Sequence, residues 1–403
     1  MEEDDNKPLR GMRVYDATQG VAGPHATMLL ALNGADVIKV EPIEGDWCRV
    51  LGNAIGQESV NYLAYNRGKR SMACDVKTAA GMEVARKLIA TCDVFVESFR
   101  PGVIGRMGLG YDEVSKINPK IIYASVSGFG QTGPNSQRPT VDGLIQAYSG
   151  MMVMNRTDDG APHRMGMIVI DVVTGLYAYQ AITTAIIRKL RFDQGSYLDI
   201  NMVQSAAAFQ AAKIMEYAES GGRPQPLYVP AGMFRTADGY IVVSGMRSHH
   251  FAALCGVINR PDLAADPRWQ TQGDRTAHGT ILNEELRKEF VKRTSQEWLS
   301  GLHAVGVFAE RVRSYGEWLE DDHARGSNAY AWVDTGAFGC LPVPCVPGVL
   351  PAGDNPSAVG TAPPLIGEHT RAILGELGFE HAWVDAQIAA GAIAETRRQK
   401  GPS

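Results

Sequence analysis

The stretch MRVYDATQGVAGPHATMLLALNGADVIKVE, residues 12–41, decides the fold class. Met12–Asp16 is a short apolar strand, and the turn-rich QGVAGPH follows it. Ala26–Asn33 is an apolar helix, Gly34 is its stop, and Asp36–Glu41 is the next strand. The same alternation continues with strand Ser71–Asp75, helix Ala79–Thr91, strand Val94–Glu97, helix Tyr111–Ile117 and strand Ile121–Val126. Strands separated by single helices predict a parallel, doubly wound, Rossmann-like α/β sheet. Ligands of such sheets sit in the loops that leave the carboxyl ends of the strands. The first of these loops holds Gly20 and Gly23 but no GxGxxG, which argues against a nicotinamide or flavin cofactor.

Beyond residue 166 the pattern changes. A long helix covers 171–190, a strand ends near Met202, and a helix follows over Val203–Ser220. We divide the chain into a large α/β domain (1–220), a linker (221–232, GGRPQPLYVPAG) and a smaller α+β domain (233–330). A Pro/Gly-rich return linker (331–367) and a C-terminal segment packing on the large domain (368–403) complete it. The small domain opens with a hairpin turning at Asp238-Gly239.

The 403 residues are 45% apolar and 21% charged, with a net charge of −5. That balance gives no general attraction to nucleic acid or to an anionic membrane, so an anionic ligand must be held by local Lys and Arg. Six cysteines without a CxxC pair point to reduced thiols in a cytoplasmic protein, and no zinc-like spacing accompanies them. The acidic N-terminus has no apolar signal core, and no window of about 18 uninterrupted apolar residues suggests a membrane span.

Five places could carry chemistry. In GMIVIDVVTGLYAYQA (166–181), Asp171 stands where an Ile-Val-Ile strand meets a helix. It is a candidate helix cap, and equally a carboxylate held ionised by amide dipoles and available as base or nucleophile. Arg67, Lys69 and Arg70 cluster around Gly68, either as a solvated loop or as phosphate contacts. Phe99, Arg100 and Arg106 follow a strand end, where a ring and a guanidinium can hold a base or a phosphate. Asp142 precedes an apolar helix as another cap. His249-His250 and Arg247 lack acidic or cysteine partners at ligand spacing, which favours packing over metal binding.

Together these stretches, with NRGKRS, ESFRPGVIGRMG, YASVSGFGQTGP, PAGMFRTADGYIVV and PPLIGEHT, resemble the class III CoA-transferases, the CaiB/BaiF family of formyl-CoA and carnitine CoA-transferases. The resemblance spans nearly the whole chain. It implies that Asp171 is a nucleophile forming aspartyl anhydride and aspartyl-CoA thioester intermediates. It implies CoA contacts at Gln19, Ala22, Cys74, Asp75, Val76, Lys77, Ser98, Phe99, Arg100 and Arg106, and substrate contacts at Thr140, Val141, Asp142 and Gly232. CoA thioesters are then substrates, with no permanently bound cofactor and no metal. Departures are Pro42, where formyl-CoA transferases carry arginine, and Ser127 and Phe308–Arg311, which differ from the commoner patterns.

Racemases of this family carry a histidine immediately before an aspartate. Here Val141 fills that position, which disfavours the alternative of a 2-methylacyl-CoA racemase or epimerase. A non-catalytic acyl-CoA-binding subunit is a further alternative, and the presence of Asp171 argues against it. The resemblance also implies an interlocked-ring homodimer, or a heteromer with a related subunit. Arg138, His163 and Arg164 could receive a second carboxylate, and we expect a dicarboxylate pair such as succinyl-CoA with an organic-acid acceptor.

Overall fold

The computed structural model describes residues 6–55, 58–156, 160–222, 226–335, 338–349 and 360–396. Parts of both predicted linkers (223–225, 336–337 and 350–359) and the tail 397–403 lie outside the described residues. The chain forms two compact units, Met1–Ala211 with Ser327–Ser403, and Ala212–Gly326.

The first unit is built on β1 (Arg13–Ala17), α1 (Ala22–Leu32), β2 (Asp36–Glu41), α2 (Val60–Tyr65), β3 (Arg70–Cys74) and α3 (Ala79–Ile89). It continues with β4 (Val94–Glu97), α4 (Tyr111–Ile117), β5 (Ile122–Ser127), α5 (Asp142–Tyr148), α6 (Val169–Phe192) and β6 (Ser196–Asn201). The sheet order is Ile393–Ala394, β3, β2, β1, β4, β5, β6. Neighbours from β3 to β6 are parallel, and only Ile393–Ala394 runs antiparallel, against β3. The order turns back between β1 and β4, so their carboxyl ends flank the switch-point crevice of a doubly wound sheet. Gln19 and Ser98, from the two flanking loops, meet there through a 2.9 Å bond from the Gln19 amide to Ser98 Oγ.

Both faces of the sheet are covered, so β4 and β5 are buried at every residue. One face stacks Tyr15, Phe95 and Tyr123 at centroid distances of 4.7 and 4.8 Å. The other face receives α1 and α6 through Ala26, Leu30, Ala178 and Ile182.

Two local readings change. No strand precedes Asp171: helix begins at Val169, and Asp171 lies in its first turn instead of capping it. Ile170, Thr174, Gly175, Ala178, Ile182, Ala185 and Ile186 are the buried positions, a helical stripe that begins in the Ile-Val-Ile run. The segment after β6 is two helices, Met202–Phe209 and Ala211–Glu219, not one. By length and a mean hydropathy of 1.3, α6 could cross a membrane, but its inner stripe is core of this unit.

The second unit holds an antiparallel sheet of β7 (Ala231–Arg235), β8 (Tyr240–Ser244) and β9 (Phe308–Arg311), with β8 central. Its core gathers Phe234, Ile241, Val243 and Trp298. His250 is buried there, ring against Phe308 at 5.1 Å.

Candidate active site

The loop after β1 is tied down by buried charge. Asp16 accepts bonds from the Thr18 amide (3.0 Å) and hydroxyl (2.5 Å), from the Thr27 hydroxyl (2.7 Å) and from Lys69 Nζ (3.0 Å). Lys39 Nζ donates to the Thr18 carbonyl and to Asp46, both at 2.9 Å, and Asp46 in turn accepts from the Gly20 amide at 3.1 Å. Removing one partner of such a buried pair costs about 3–5 kcal/mol, because the other charge is stranded.

This scaffold overturns the phosphate-contact reading of the basic stretch. Lys69 is enclosed, and burial pulls its pKa down to about 8. Arg70 is engaged by Asp36 and Glu376, and Arg67 is buried with a bond to the Pro344 carbonyl.

The expected CoA contacts gather instead around Phe99. A cavity of about 340 Å³ beyond β1, β2 and β3 is lined by Gln19, Cys74, Asp75, Val76, Lys77 and Phe99, with Pro42 also on its wall. A second, of about 350 Å³, is lined by Ser98, Arg100, Thr140 and Val141 together with Arg138, and Phe99 forms part of its wall too. Arg106 borders an open cleft shared with Val76 and Lys77. Ala22 lines none of these; it is buried in α1 against α6. Gly232 lies exposed in β7 of the second unit, at φ +150°.

The Phe99 loop is anchored by Glu97, whose Oε2 accepts the Phe99 amide at 2.8 Å. Burial raises the pKa of that carboxyl to about 7. Arg100, Arg138, His163 and Arg164 are exposed, and Arg164 lies along Gly143, where a Cβ would stand 3.3 Å from its Cδ.

Asp142 and Asp171 meet at the start of α6. Asp142 is buried, and its Oδ2 accepts the Ile170 amide at 2.6 Å and the Asp171 amide at 3.1 Å. Its other oxygen accepts from Gln146 at 2.5 Å. Asp142 therefore caps α6 and not α5, the helix it begins, and it occupies the amides expected to hold Asp171 ionised. The Asp171 carboxylate is half-buried and accepts no hydrogen bond from the described residues. Burial, and then the neighbouring charge of Asp142, raise its pKa to about 7. The expectation of a dipole-stabilised anion is thus corrected to a poorly solvated, unpartnered carboxylate. Such a group is more nucleophilic when ionised than one held by donors.

Two neighbours escaped sequence reasoning. His25 Nδ1 lies 3.2 Å from the Val172 carbonyl, and its ring meets Tyr65 edge-on at 5.3 Å. The available signal was a lone imidazole in a largely apolar helix whose every residue is buried. Cys48 also lies close enough to feel the charge of Asp171, but burial pushes its thiol up to about 12, so it is inert.

The family model for CoA-transferase family III matches residues 9–370. Succinyl-CoA:glutarate CoA-transferase of Mus musculus is 34% identical over 401 residues, covering 97% of this chain and 92% of that protein. Succinate–glutarate CoA-transferase of Agrobacterium fabrum is 33% identical, covering 92% of this chain and 96% of that protein. The crystal structure of a CaiB/BaiF family protein from Brucella suis superposes with a TM-score of 0.81 at 30% identity, covering 93% of this chain and all of that one. With a Rossmann-like sheet that carries two cavities along its carboxyl edge, and with relatives of this kind along nearly its whole length, this chain belongs to CoA-transferase family III.

Proposed function

We propose that this protein moves CoA from a dicarboxylic acyl-CoA, of which succinyl-CoA is the model donor, to an acceptor carboxylic acid, with Asp171 as the covalent relay. The observation that carries this reading is an Asp171 carboxylate that accepts no hydrogen bond from the described residues while Asp142 occupies the helix amides. An Asp171 oxygen attacks the thioester carbon, and the carbonyl π pair moves onto its oxygen. Collapse expels CoA thiolate and leaves an aspartyl-acyl anhydride. The thiolate then attacks the aspartyl carbonyl, releasing the donor acid and leaving an aspartyl-CoA thioester. The acceptor carboxylate repeats these two steps in reverse order, which restores Asp171. Thioester and anhydride are both activated acyl groups, so no step calls for ATP.

In this reading Gln19, Cys74, Asp75, Val76, Lys77 and Phe99 take the CoA nucleotide. Ser98, Arg100, Thr140 and Val141 line its path toward Asp171, and Arg106 faces its phosphates. Ala22 and Gly232 stay as weaker proposals, since neither borders these cavities. Exposed Arg138, whose guanidinium lies over the Phe129 ring at 5.6 Å, and exposed Arg164 supply cationic groups for a second carboxylate. The names of the glutarate-using relatives support a dicarboxylate. The Val141 side chain cannot exchange a proton, which disfavours racemisation.

The experiment is a matrix of succinyl-, acetyl- and formyl-CoA against mono- and dicarboxylic acceptors. We expect succinyl-CoA with a dicarboxylic acceptor to exceed the other pairs by about tenfold or more, the worth of one well-placed charged contact. Deuterium exchange at an acyl α-carbon without CoA transfer would overturn the assignment in favour of racemisation.

A further inference from the structure

The first turn of α6 is walled by an aromatic pair that the reaction as described leaves unused. A backbone carbonyl only accepts, so the 3.2 Å contact to Val172 places the proton of His25 on Nδ1. Gly175 admits the ring, since a Cβ there would stand 2.6 Å from Nδ1 and 2.9 Å from the Ala22 carbonyl. Burial holds the imidazole neutral, with its pKa lowered to about 4. His25 is therefore a fixed, uncharged wall.

Against that wall stands Tyr65, the last residue of α2, packed on the cluster of Val21, Cys48 and Tyr62 that Ile168 also joins. Ile168 and Val172 bracket Asp171 in sequence, and Tyr65 lies near enough to Asp171 to feel its charge. The two tyrosines of α2 differ in one respect. Tyr62 gives its hydroxyl proton to the Pro364 carbonyl at 3.1 Å, whereas the Tyr65 hydroxyl has no hydrogen-bond partner among the described residues. A half-buried phenol keeps its proton at neutral pH, and the charge of Asp171 adds to that effect.

We propose that the Tyr65 hydroxyl donates a hydrogen bond to the acyl carbonyl oxygen at Asp171 and so stabilises the negative charge that develops there during attack. The step leaves the phenol proton in place: the Asp171–acyl bond forms, the carbonyl pair shifts to oxygen under the Tyr65 donor, and return of that pair breaks the bond to sulfur. The inference rests on Asp171 being the acyl acceptor.

Tyr65→Phe keeps the ring against His25 and removes only the donor. We expect kcat to fall about 10²–10³-fold, the usual cost of one oxyanion donor, with KM for succinyl-CoA and the melting temperature little changed. Parental kcat in Tyr65→Phe overturns the proposal. If that variant melts early, 3,5-difluorotyrosine at position 65 decides the matter by lowering the pKa of the phenol. A phenolate cannot donate, so the basic limb of the kcat profile must move to lower pH; an unmoved limb overturns the proposal. Asp171→Asn, assayed in parallel, separates the two ideas. Transfer surviving there refutes the aspartate relay, whereas an inactive Asp171→Asn beside a fully active Tyr65→Phe refutes the Tyr65 donor alone.

Discussion

Asp171 gives up water and gains a neighbouring carboxylate, and the described residues supply no donor in compensation. The consequence for stability has a definite sign. Below about pH 4 both folded and unfolded chains hold the proton, so Asp171 contributes nothing. Between about pH 4 and the folded value of about 7, the unfolded chain is ionised while the folded one keeps its proton, so stability falls as pH rises. Above that the penalty is complete. Asp171→Asn removes the titration, so its melting temperature should gain on the parent's from pH 4 to pH 8. A difference that stays constant with pH would contradict the raised pKa. The carboxylate itself was legible from the sequence, because an aspartate after Ile-Val-Ile needs a reason. Its electrostatics were not, because they depend on Asp142, 29 residues away, occupying the amides.

At the scale of elements, the alternation of strands and helices was legible because short strands rich in apolar residues alternate with helices across turn residues, although Asp16, Lys39 and Glu97 lie within those strands. Val94–Glu97 and Tyr111–Ile117 came out with the bounds expected, and the helix expected from Ala26 starts four residues earlier, at Ala22. The failure at 166–170 follows from length: an apolar run that short does not distinguish a strand from the first turn of a helix. The basic stretch misled for a different reason. Sequence shows that Lys69 and Arg70 are cationic, but not that Asp16 and the Asp36–Glu376 pair claim them. Gly175 shows the same limit, since its function is to admit a histidine from α1, a packing relation with no local sequence signal.

At the scale of the molecule, α6 leaves Leu176, Ile187, Leu190 and Phe192 exposed at 48–70%, and a groove of about 500 Å³ between α6 and β6 is lined by Tyr177, Ala181 and Leu198. Covering these side chains with another protein surface removes apolar area from water. We propose that a second copy covers it, in line with the expected homodimer. Light scattering of the pure protein should then give twice the 43.5 kDa chain mass. A monomer that forms a complex only after a related subunit is added would favour a heteromer instead.

The central claim is that Asp171 becomes acylated and then carries CoA. The direct measurement is mass spectrometry of the peptide containing Asp171 after incubation with succinyl-CoA and hydroxylamine. The account predicts an aspartyl hydroxamate at Asp171 that appears only with the thioester present and is missing from Asp171→Asn. An unmodified Asp171 under conditions of full CoA transfer would contradict it.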